Sequence, residues 1–237
     1  MKIRNCILAL AIILLLLACV SYPYKQIKVP TPTWPSVPTE LTDRSWVTDQ
    51  PCKPPCWYGM VVGETMMSQA FESVEAIELI QPEPAREYPV GYFDIDKNEY
   101  AGDGRGFMFK CVQPAAWECV GLEFVNETLI GIRMFPNYKI NFGEVVKTIG
   151  PPDYIRNHVH GGPEKATGCT IEMIWVERQL LVGTMEWYED SGRELCKLFY
   201  ESGRRPYPDL IVDMVQITNS DFINRVEKVD WTGFANP

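Results

Sequence analysis

The sequence predicts an α+β domain in which short helices pack on an antiparallel sheet, arranged as two related units and braced by disulfides. Three observations predict this fold: two helix starts with capping signals, two apolar hairpins with tight turns, and six cysteines downstream of an export signal. Helical segments followed by runs of strands are typical of the α+β class. Paired cysteines are typical of exported domains.

Composition excludes several classes of function. The chain has 237 residues, of which 46% are apolar, and its 31 acidic and 22 basic side chains give a net charge of −9. An acidic surface repels phosphate groups, so a nucleic-acid partner bound through a basic field is excluded. The apolar content excludes a largely disordered chain, and only one stretch approaches the length of a membrane span, which excludes a multi-span membrane protein.

The first 18 residues have the pattern of an export signal. Lys2 and Arg4 give a positive start, residues 7–17 form an unbroken apolar run, and Ala18 precedes Cys19. Because a helix rises about 1.5 Å per residue, this run would cover about half of the hydrocarbon core of a bilayer. We therefore expect a cleaved signal and not a permanent span.

The residues that close this segment, Leu16-Leu17-Ala18-Cys19, resemble the bacterial lipobox. In a lipobox the chain is cut before the cysteine, and the cysteine sulfur is lipidated. The resemblance implies a signal peptide over residues 1–18 and attachment to a membrane of the bacterial cell envelope through Cys19. Ordinary signal cleavage and an uncleaved anchor are the alternatives.

Residues 19–55 are expected to form an extended, proline-rich tether. The segment has little apolar periodicity, so it cannot bury enough surface to fold. In polyproline form, at about 3.1 Å per residue, about thirty residues would hold a domain up to roughly 90 Å from a membrane. A single folded domain is expected over residues 56–237. The prolines are Pro23, Pro30, Pro32, Pro35, Pro38, Pro51, Pro54 and Pro55.

Six cysteines remain after the signal and Cys19 are set aside, and we expect them to form three disulfides. An exported location favours structural bridges, and the Cys-x2-Cys spacing of many zinc sites does not occur. The preferred pairs are close in sequence or placed to join neighbouring strands, and free thiols are the main alternative. These pairs are Cys52–Cys56, Cys111–Cys119 and Cys169–Cys196.

Thr65 is placed to cap a helix whose apolar residues recur at helical spacing. Pro82 ends the pattern, because proline lacks the amide hydrogen that a helix interior needs. The apolar positions are Met67, Ala70, Phe71, Val74 and Ile77.

A second helix start is sharper. Asn141 and Glu144 have the spacing of a capping box, in which each side chain bonds to the backbone amide of the other residue. Ile140 and Val145 are placed as a hydrophobic staple around this cap. Gly150 and the two prolines that follow it end the helix after about two turns.

An apolar hairpin follows each helix. The first hairpin spans residues 121–135 and turns near Asn126-Glu127, and the second spans residues 170–188 and turns near residues 177–179. Alternating apolar residues and tight turns predict antiparallel pairing in both. Further strands are expected over residues 195–201 and 210–218.

The two helix-plus-hairpin units, at about residues 59–136 and 140–220, are similar in sequence. Leu129-Ile130-Gly131 in the first hairpin matches Leu181-Val182-Gly183 in the second. The distance from the helix-start glycine to the hairpin glycine is 68 residues in the first unit (63 to 131) and 40 in the second (143 to 183). The first unit therefore contains an insertion of 28 residues, unless the similarity arose by chance.

Two short motifs carry a resemblance to known families. They are the Gly-x-x-x-Gly-x-Thr pattern from Gly59 to Thr65 and the helix end Ile149-Gly150-Pro151-Pro152-Asp153. Together with the lipobox, they resemble the BamE/SmpA-like lipoproteins and the tandem-repeat fold of the β-lactamase-inhibitor-protein-like domains. The resemblance implies helices on one face of an antiparallel sheet, used for protein contact and not for catalysis. No functional residue is transferred from it.

One acidic stretch is a candidate cation site. Asp94, Asp96 and Asn98 place oxygen ligands at alternate positions, as the first half of an EF-hand calcium loop does. Glu99 then stands where that loop needs a glycine, and Arg105 stands where it needs a bidentate glutamate. A solvated turn is the alternative interpretation.

Catalytic patterns are poorly represented, and we expect no catalytic residue. His158 and His160 are the only histidines, and the sequence contains no nucleophile elbow or phosphate-binding glycine loop. Aromatic residues are plentiful and either line a binding groove or fill the core. The candidates are Trp57, Tyr58, Trp117, Trp175, Trp187 and Tyr188.

These observations favour a non-enzymatic, lipid-anchored envelope protein that binds another envelope or extracellular protein. We expect its contact loop in the insertion, over about residues 81–108, because loops on a rigid scaffold carry much of protein function. The alternative is a lipoprotein that binds a small ligand or a cation such as calcium. An exported hydrolase that uses paired carboxylates is the least supported hypothesis.

Overall fold

The computed structural model describes eight parts of the chain: residues 43–94, 99–112, 118–136, 138–160, 168–186, 195–197, 199 and 201–235. They belong to one unit, which begins at Ser36. The helices are α1 Ser45–Thr48, α2 Met67–Glu75, α3 Phe142–Ile149 and α4 Ser220–Arg225. The described residues between 195 and 201 are also helical.

The described fold is mostly β and contains one large antiparallel sheet of nine strands in the order β11-β7-β8-β9-β10-β6-β5-β4-β3. Its strands are β3 Ile80–Asp94, β4 Glu99–Cys111, β5 Glu118–Val125, β6 Thr128–Met134, β7 Tyr154–His160, β8 Gly168–Trp175, β9 Leu180–Glu186, β10 Met214–Thr218 and β11 Val229–Asp230. A separate two-stranded sheet contains β1 Cys56–Trp57 and β2 Met60–Val61.

Two four-stranded meanders make up most of the large sheet. One contains β3 to β6, the other contains β7 to β10, and they meet where β6 pairs with β10. The main core lies on the face covered by α2 and α3, where Val74 and Phe142 are fully buried. On the opposite face, Ile223 of α4 packs on Ile174 and Leu181. Burying one such side chain contributes about 1.5–3 kcal/mol.

The second helix forms as the capping box predicts. The Asn141 side chain accepts a hydrogen bond from the Glu144 amide at 2.9 Å, and the Glu144 carboxylate accepts one from the Asn141 amide at 3.0 Å. Helix α3 ends at Gly150, whose φ of 90° falls in the region that favours glycine. This local pattern was therefore predicted correctly.

The first helix differs from its prediction at both ends. The Thr65 hydroxyl accepts a hydrogen bond from the Val61 amide at 2.8 Å, so it stabilises the preceding turn and not the helix. Met66 is the N-cap residue, and its amide donates to the Gln69 side chain at 3.1 Å. Helix α2 ends at Glu75, and Pro82 lies in β3.

All three predicted disulfides are present. The Cα atoms are 5.7 Å apart in Cys52–Cys56, 5.6 Å in Cys111–Cys119 and 5.9 Å in Cys169–Cys196. Three disulfides indicate an oxidising compartment outside the cytosol. None of the helices in the described ranges is both long and apolar enough to cross a bilayer.

Both predicted hairpins form. Strands β5 and β6 turn at Asn126 and Glu127, which have φ values of 50° and 64°, as a two-residue hairpin turn requires. Strands β8 and β9 turn between Trp175 and Leu180. The strand predicted over residues 195–201 is wrong, because its described residues are helical and bury Leu195 and Phe199 one helical turn apart.

The predicted tether extended too far into the chain. Residues 43–55 pack with the domain: they include α1, in which Trp46 is only 1% exposed. The proline-rich composition gave no sign that this segment is folded, because only two adjacent apolar residues, Trp46 and Val47, provide most of its buried surface. The folded part therefore begins before residue 56.

The insertion and the sequence repeat also differ from expectation. Residues 81–94 and 99–108, within the predicted contact loop, form most of the β3–β4 hairpin. Gly131 lies in β6, the fourth strand after its helix, whereas Gly183 lies in β9, the third strand after its helix. The tripeptides that matched in sequence therefore do not occupy equivalent strands.

Candidate functional site

The β3–β4 hairpin extends past the rest of the sheet. Strand β4 pairs with β5 only as far as Arg105, which lies opposite Phe124. Beyond that point, β3 and β4 pair with each other, from Val90 opposite Gly104 to Asp94 opposite Glu99. We call residues 90–94 and 99–104 the arm. At about 3.3 Å per residue, the arm extends about 17 Å beyond the last pair with β5.

Exposed charges flank the base of the arm. The Arg105 guanidinium donates to the Glu87 carboxylate at 2.8 Å across the two strands, and it lies 5.0 Å from the centre of the Phe107 ring. The hydrogen bond from Arg105 holds the pKa of Glu87 below its usual value. Both side chains are about half exposed, so they are accessible to a partner.

A second network fixes this hairpin to β5 and β6 on the face opposite the main core. The Tyr88 ring lies over Gly106, where an added Cβ would be 2.3 Å from the ring. The Tyr88 hydroxyl donates to Glu123 at 3.2 Å, and Glu123 pairs with Arg133 at 3.0 Å. Burial, followed by the charge of Glu123, raises the pKa of Tyr88. The base of the arm is therefore held by side chains as well as by backbone pairing.

The outer edge of β3 is unsuited to the addition of another strand. Pro82, Pro84 and Pro89 lie along it, and proline has no amide hydrogen to donate to a neighbouring strand. The pairing of β3 with β4 also shifts register at three places. Prolines and bulges are common protections of sheet edges. The β3 edge of the hairpin is therefore protected against the addition of a further strand.

The chain enters the described fold at the other end of the sheet. Asp43 lies beside Cys111, Cys119 and Met134, where β4 ends, β5 begins and β6 ends. The turns at 126–127 and 176–179 lie at the opposite end. We call these ends the tether-side end and the distal end.

Residues 43–62, which we call the strap, are attached at the tether-side end by a buried polar cluster. The Tyr138 hydroxyl accepts a hydrogen bond from Trp46 Nε1 at 3.0 Å and donates to the Asp43 carbonyl at 2.7 Å. Trp57 Nε1 donates to the Asp43 carboxylate at 3.0 Å. The Arg44 guanidinium lies 4.9 Å from the centre of the Tyr138 ring.

Two tyrosines of this cluster hold their protons tightly. Burial, with the charge of Asp43 and a hydrogen bond to it, raises the pKa of Tyr58 to about 12. Burial and the charge of Asp43 also raise the pKa of Tyr138. Neither phenol is an effective acid or base near neutral pH, so the cluster serves attachment and not proton transfer.

An apolar cleft lies beside this cluster. It encloses about 430 Å³, including space open to solvent, between the strap and the ends of β4, β5 and β6. Trp46 and Trp57 on its wall are each 1% exposed, and the polar groups of Asp43, Trp57 and Tyr138 bond to one another. We therefore interpret the cleft as a packing gap where the strap meets the sheet.

The aromatic residues do not form the predicted groove in the described part of the chain. Trp57 and Trp175 are buried in the main core, and Trp175 Nε1 donates to the Gly150 carbonyl at 3.1 Å. Tyr58 is partly buried and contacts the Trp57 ring edge-on. Trp117, Trp187 and Tyr188 lie outside the described residues.

The predicted cation site also falls largely outside the described structure. Asp96 and Asn98 are not among the described residues, and only the backbone of Asp94 is described, at the end of β3. His158 and His160 lie in β7, opposite Thr170 and Gly168. Within the described ranges, no three His, Cys, Asp or Glu residues are grouped as a metal site requires.

A buried ion pair lies on the other meander. Arg156 of β7 bonds to Glu172 of β8, which is 1% exposed, and the Arg156 guanidinium lies 5.2 Å from the centre of the Phe222 ring. The Glu172 carboxylate is therefore occupied by a structural contact. Its role is to join β7, β8 and α4.

Sequence reasoning missed the residues that hold the strap and the arm. Tyr138 lies 92 residues from Trp46, and no local pattern links them. The network of Tyr88, Glu123 and Arg133 crosses four strands. A search for hydrophobic periodicity could not find it, because such a pattern records only apolar positions. The proline spacing of β3 was a usable signal for an edge strand.

Comparison with protein-family models, curated proteins and solved structures finds no match to this chain.

Proposed function

We propose that this chain is a non-enzymatic, lipid-anchored protein of the bacterial cell envelope that binds another envelope or extracellular protein through the arm. The observation that carries the proposal is the placement of the arm and of Asp43 at opposite ends of the sheet. Strand β4 runs from the arm to the tether-side end over 13 residues, a length of about 40 Å.

This placement suits a tethered domain. A domain held at Asp43 presents its distal end away from the attachment point, so the arm is the part that reaches a partner first. The base of the arm carries the exposed Glu87–Arg105 pair and is fixed by Tyr88. A fixed base reduces the entropy lost on binding, which favours affinity.

The anchor itself rests on the sequence. The lipobox-like Leu16-Leu17-Ala18-Cys19 segment supports lipidation of Cys19, and the three disulfides support export. Cys19 lies outside the described residues. Residues 20–42 remain as the proposed tether between the lipid and the strap.

We also propose that the two units are related, with a different correspondence from the one the tripeptides suggested. Each unit has a helix followed by four strands, α2 with β3 to β6 and α3 with β7 to β10, and the fourth strands pair with each other. Each helix cap also makes an isolated bridge, Met66 to Thr128 and Asn141 to Ile211. These topological features support an ancestral duplication.

Removal of the arm tests the proposed function. A variant in which Asn-Gly replaces residues 90–104 joins Pro89 to Arg105, which are opposite each other, through a two-residue turn. The oxidised full chain and this variant are crosslinked to envelope extract and compared by mass spectrometry. A Glu177→Ala variant, changed at an exposed turn of the same distal end, is the matched control.

We expect one saturable partner for the full chain and the control, and its loss from the arm-less variant. Equal capture of the same partner by the arm-less variant would remove the arm from the interface. Absence of any saturable partner would contradict the protein-binding function.

A further inference from the structure

The strap is joined to the rest of the fold by side chains. Every backbone hydrogen bond described for residues 43–62 stays within the strap or reaches only Glu64 and Thr65, which directly follow it. Its two strands, β1 and β2, pair with each other and not with the large sheet. The strap can therefore leave without breaking the sheet's ladder.

Three side-chain attachments reach from the strap to distant parts of the chain. Trp46 bonds to Tyr138, and Tyr138 in turn bonds to the Asp43 carbonyl. Asp49 accepts two hydrogen bonds from Arg178, at 2.5 and 3.1 Å, in the turn between β8 and β9. The strap thus runs from the tether-side end to the distal end of the domain.

No disulfide among the described residues joins the strap to the sheet. Cys52–Cys56 closes within the strap, whereas Cys111–Cys119 and Cys169–Cys196 lie wholly outside it. Oxidation therefore stabilises the sheet and the strap separately. Their mutual attachment depends on burial of Trp46 and Trp57 and on the three side-chain contacts.

The strap is also the first described segment after the proposed tether, so a load on the tether reaches it before it reaches the sheet. We infer that the strap is a releasable segment. Under load it undocks from the sheet as a unit, which lengthens the connection between the tether and the sheet while the sheet and the arm stay folded. The strap then behaves as a local cooperative unit of lower stability than the sheet.

The length released is set by the Cys52–Cys56 disulfide. The bridge keeps residues 53–55 out of the extended path, so 17 of the 20 strap residues lengthen. At roughly 3.4 Å per residue, the released strap spans about 60 Å. In the fold its ends are already about 17 Å apart, because Asp43 lies beside Met134 and Gly63 bonds to Leu129, five residues away along β6. Release therefore adds about 40 Å.

Force spectroscopy on the oxidised, lipidated chain in detergent, with one handle inserted in the tether after Cys19 and the other at the C-terminus, tests the inference. We expect a first reversible step of about 40 Å, followed at higher force by unfolding of the sheet. Trp46→Phe keeps the apolar ring but removes the bond to Tyr138, and it should speed the first step about fivefold while leaving the second unchanged.

Trp175→Phe is the matched control, because it removes an equivalent buried Nε1 hydrogen bond outside the strap. It should leave the first step unchanged. A single unfolding step for the whole domain, or a first step that responds to Trp175→Phe and not to Trp46→Phe, would overturn the inference.

Native-state hydrogen exchange of the unsubstituted chain gives an independent test that needs no variant. We expect the hydrogen-bonded amides of Val47, Cys56 and Val62 to exchange by a common opening that leaves β5, β6 and β10 protected. Exchange of these amides only at the rate of the sheet amides would contradict a separate strap.

Discussion

The strap and the arm are attached to the sheet in opposite ways. The strap buries two tryptophans at 1% exposure but makes no described backbone hydrogen bond to the large sheet. The arm continues the backbone ladder of the sheet but carries exposed charges at its base. Side-chain burial can thus make a segment part of the core without strand pairing, and strand pairing can continue a hairpin past the rest of the sheet. Stability should depend on the strap, and recognition on the arm.

Trp46→Ala should break this comparison most strongly. The substitution empties a fully buried site and removes the bond to Tyr138, so we expect a loss of about 3–5 kcal/mol in the free energy of unfolding. Urea unfolding measures it. Arg105→Ala at the base of the arm is the control and should change stability by less than about 0.5 kcal/mol. Similar losses for the two variants would contradict the assignment of stability to the strap.

Tyr138→Phe and Tyr88→Phe compare the two attachments with the same chemical change. The Tyr138 hydroxyl serves both Trp46 and Asp43, and its loss leaves a buried indole donor unpaired, so we expect a cost of about 2 kcal/mol. The Tyr88 hydroxyl makes one bond, to Glu123, and its loss should cost about 1 kcal/mol. The unfolding midpoints of the two variants check this order. A larger loss for Tyr88→Phe would reverse the comparison.

Alkaline pH should weaken the strap attachment. The pKa of Tyr58 is about 12 in the fold against 10.0 for the unperturbed group, so the folded chain holds this proton more tightly. The resulting stability is fully present below about pH 10 and is lost as pH rises from there towards 12. The urea midpoint should therefore fall between about pH 10 and about pH 12. The urea midpoint of Tyr58→Phe should fall less steeply with pH than that of the unsubstituted chain. An equal slope would show that titration of Tyr58 does not cause the loss.

Replacement of the arm by Asn-Gly should have the smallest effect on stability. The substitution removes strand pairs beyond the core and shortens a loop, so we expect a change of less than about 1 kcal/mol in the free energy of unfolding. Thermal and urea unfolding of the oxidised chain measure it. A loss above about 2 kcal/mol would show that the arm contributes to the core.

Local signals predicted local structure well. The Asn141 and Glu144 capping box, the turn at Asn126-Glu127 and two of the three disulfides depend on residues close together in sequence. Their physical causes are satisfied within a few residues, so the sequence alone predicts them. The third pair, Cys169–Cys196, was predicted correctly, but it joins β8 to a helical segment and not to a neighbouring strand. The antiparallel sheet followed from the same alternation of apolar residues.

Long-range packing decided the features that sequence reasoning missed. Trp46 can be buried because Tyr138, 92 residues away, accepts the hydrogen bond of its indole. The proline-rich composition of the surrounding segment gives no sign of that contact. The contact loop predicted over about residues 81–108 is a paired hairpin in its described part. Its prolines and charges interrupt the apolar alternation that predicts strands, although an edge strand tolerates both. The match between residues 129–131 and residues 181–183 did not identify equivalent strands, because similar apolar side chains suit any buried strand.

Photo-crosslinking in living cells that produce the protein tests the central claim, that the arm is the recognition surface, most directly. A photoreactive residue is placed at exposed Pro89, next to the arm, or at exposed Glu177, in another turn of the distal end. The account predicts one discrete protein adduct from position 89 and none of that mass from position 177. The same adduct from both positions, or no adduct from position 89, would contradict it.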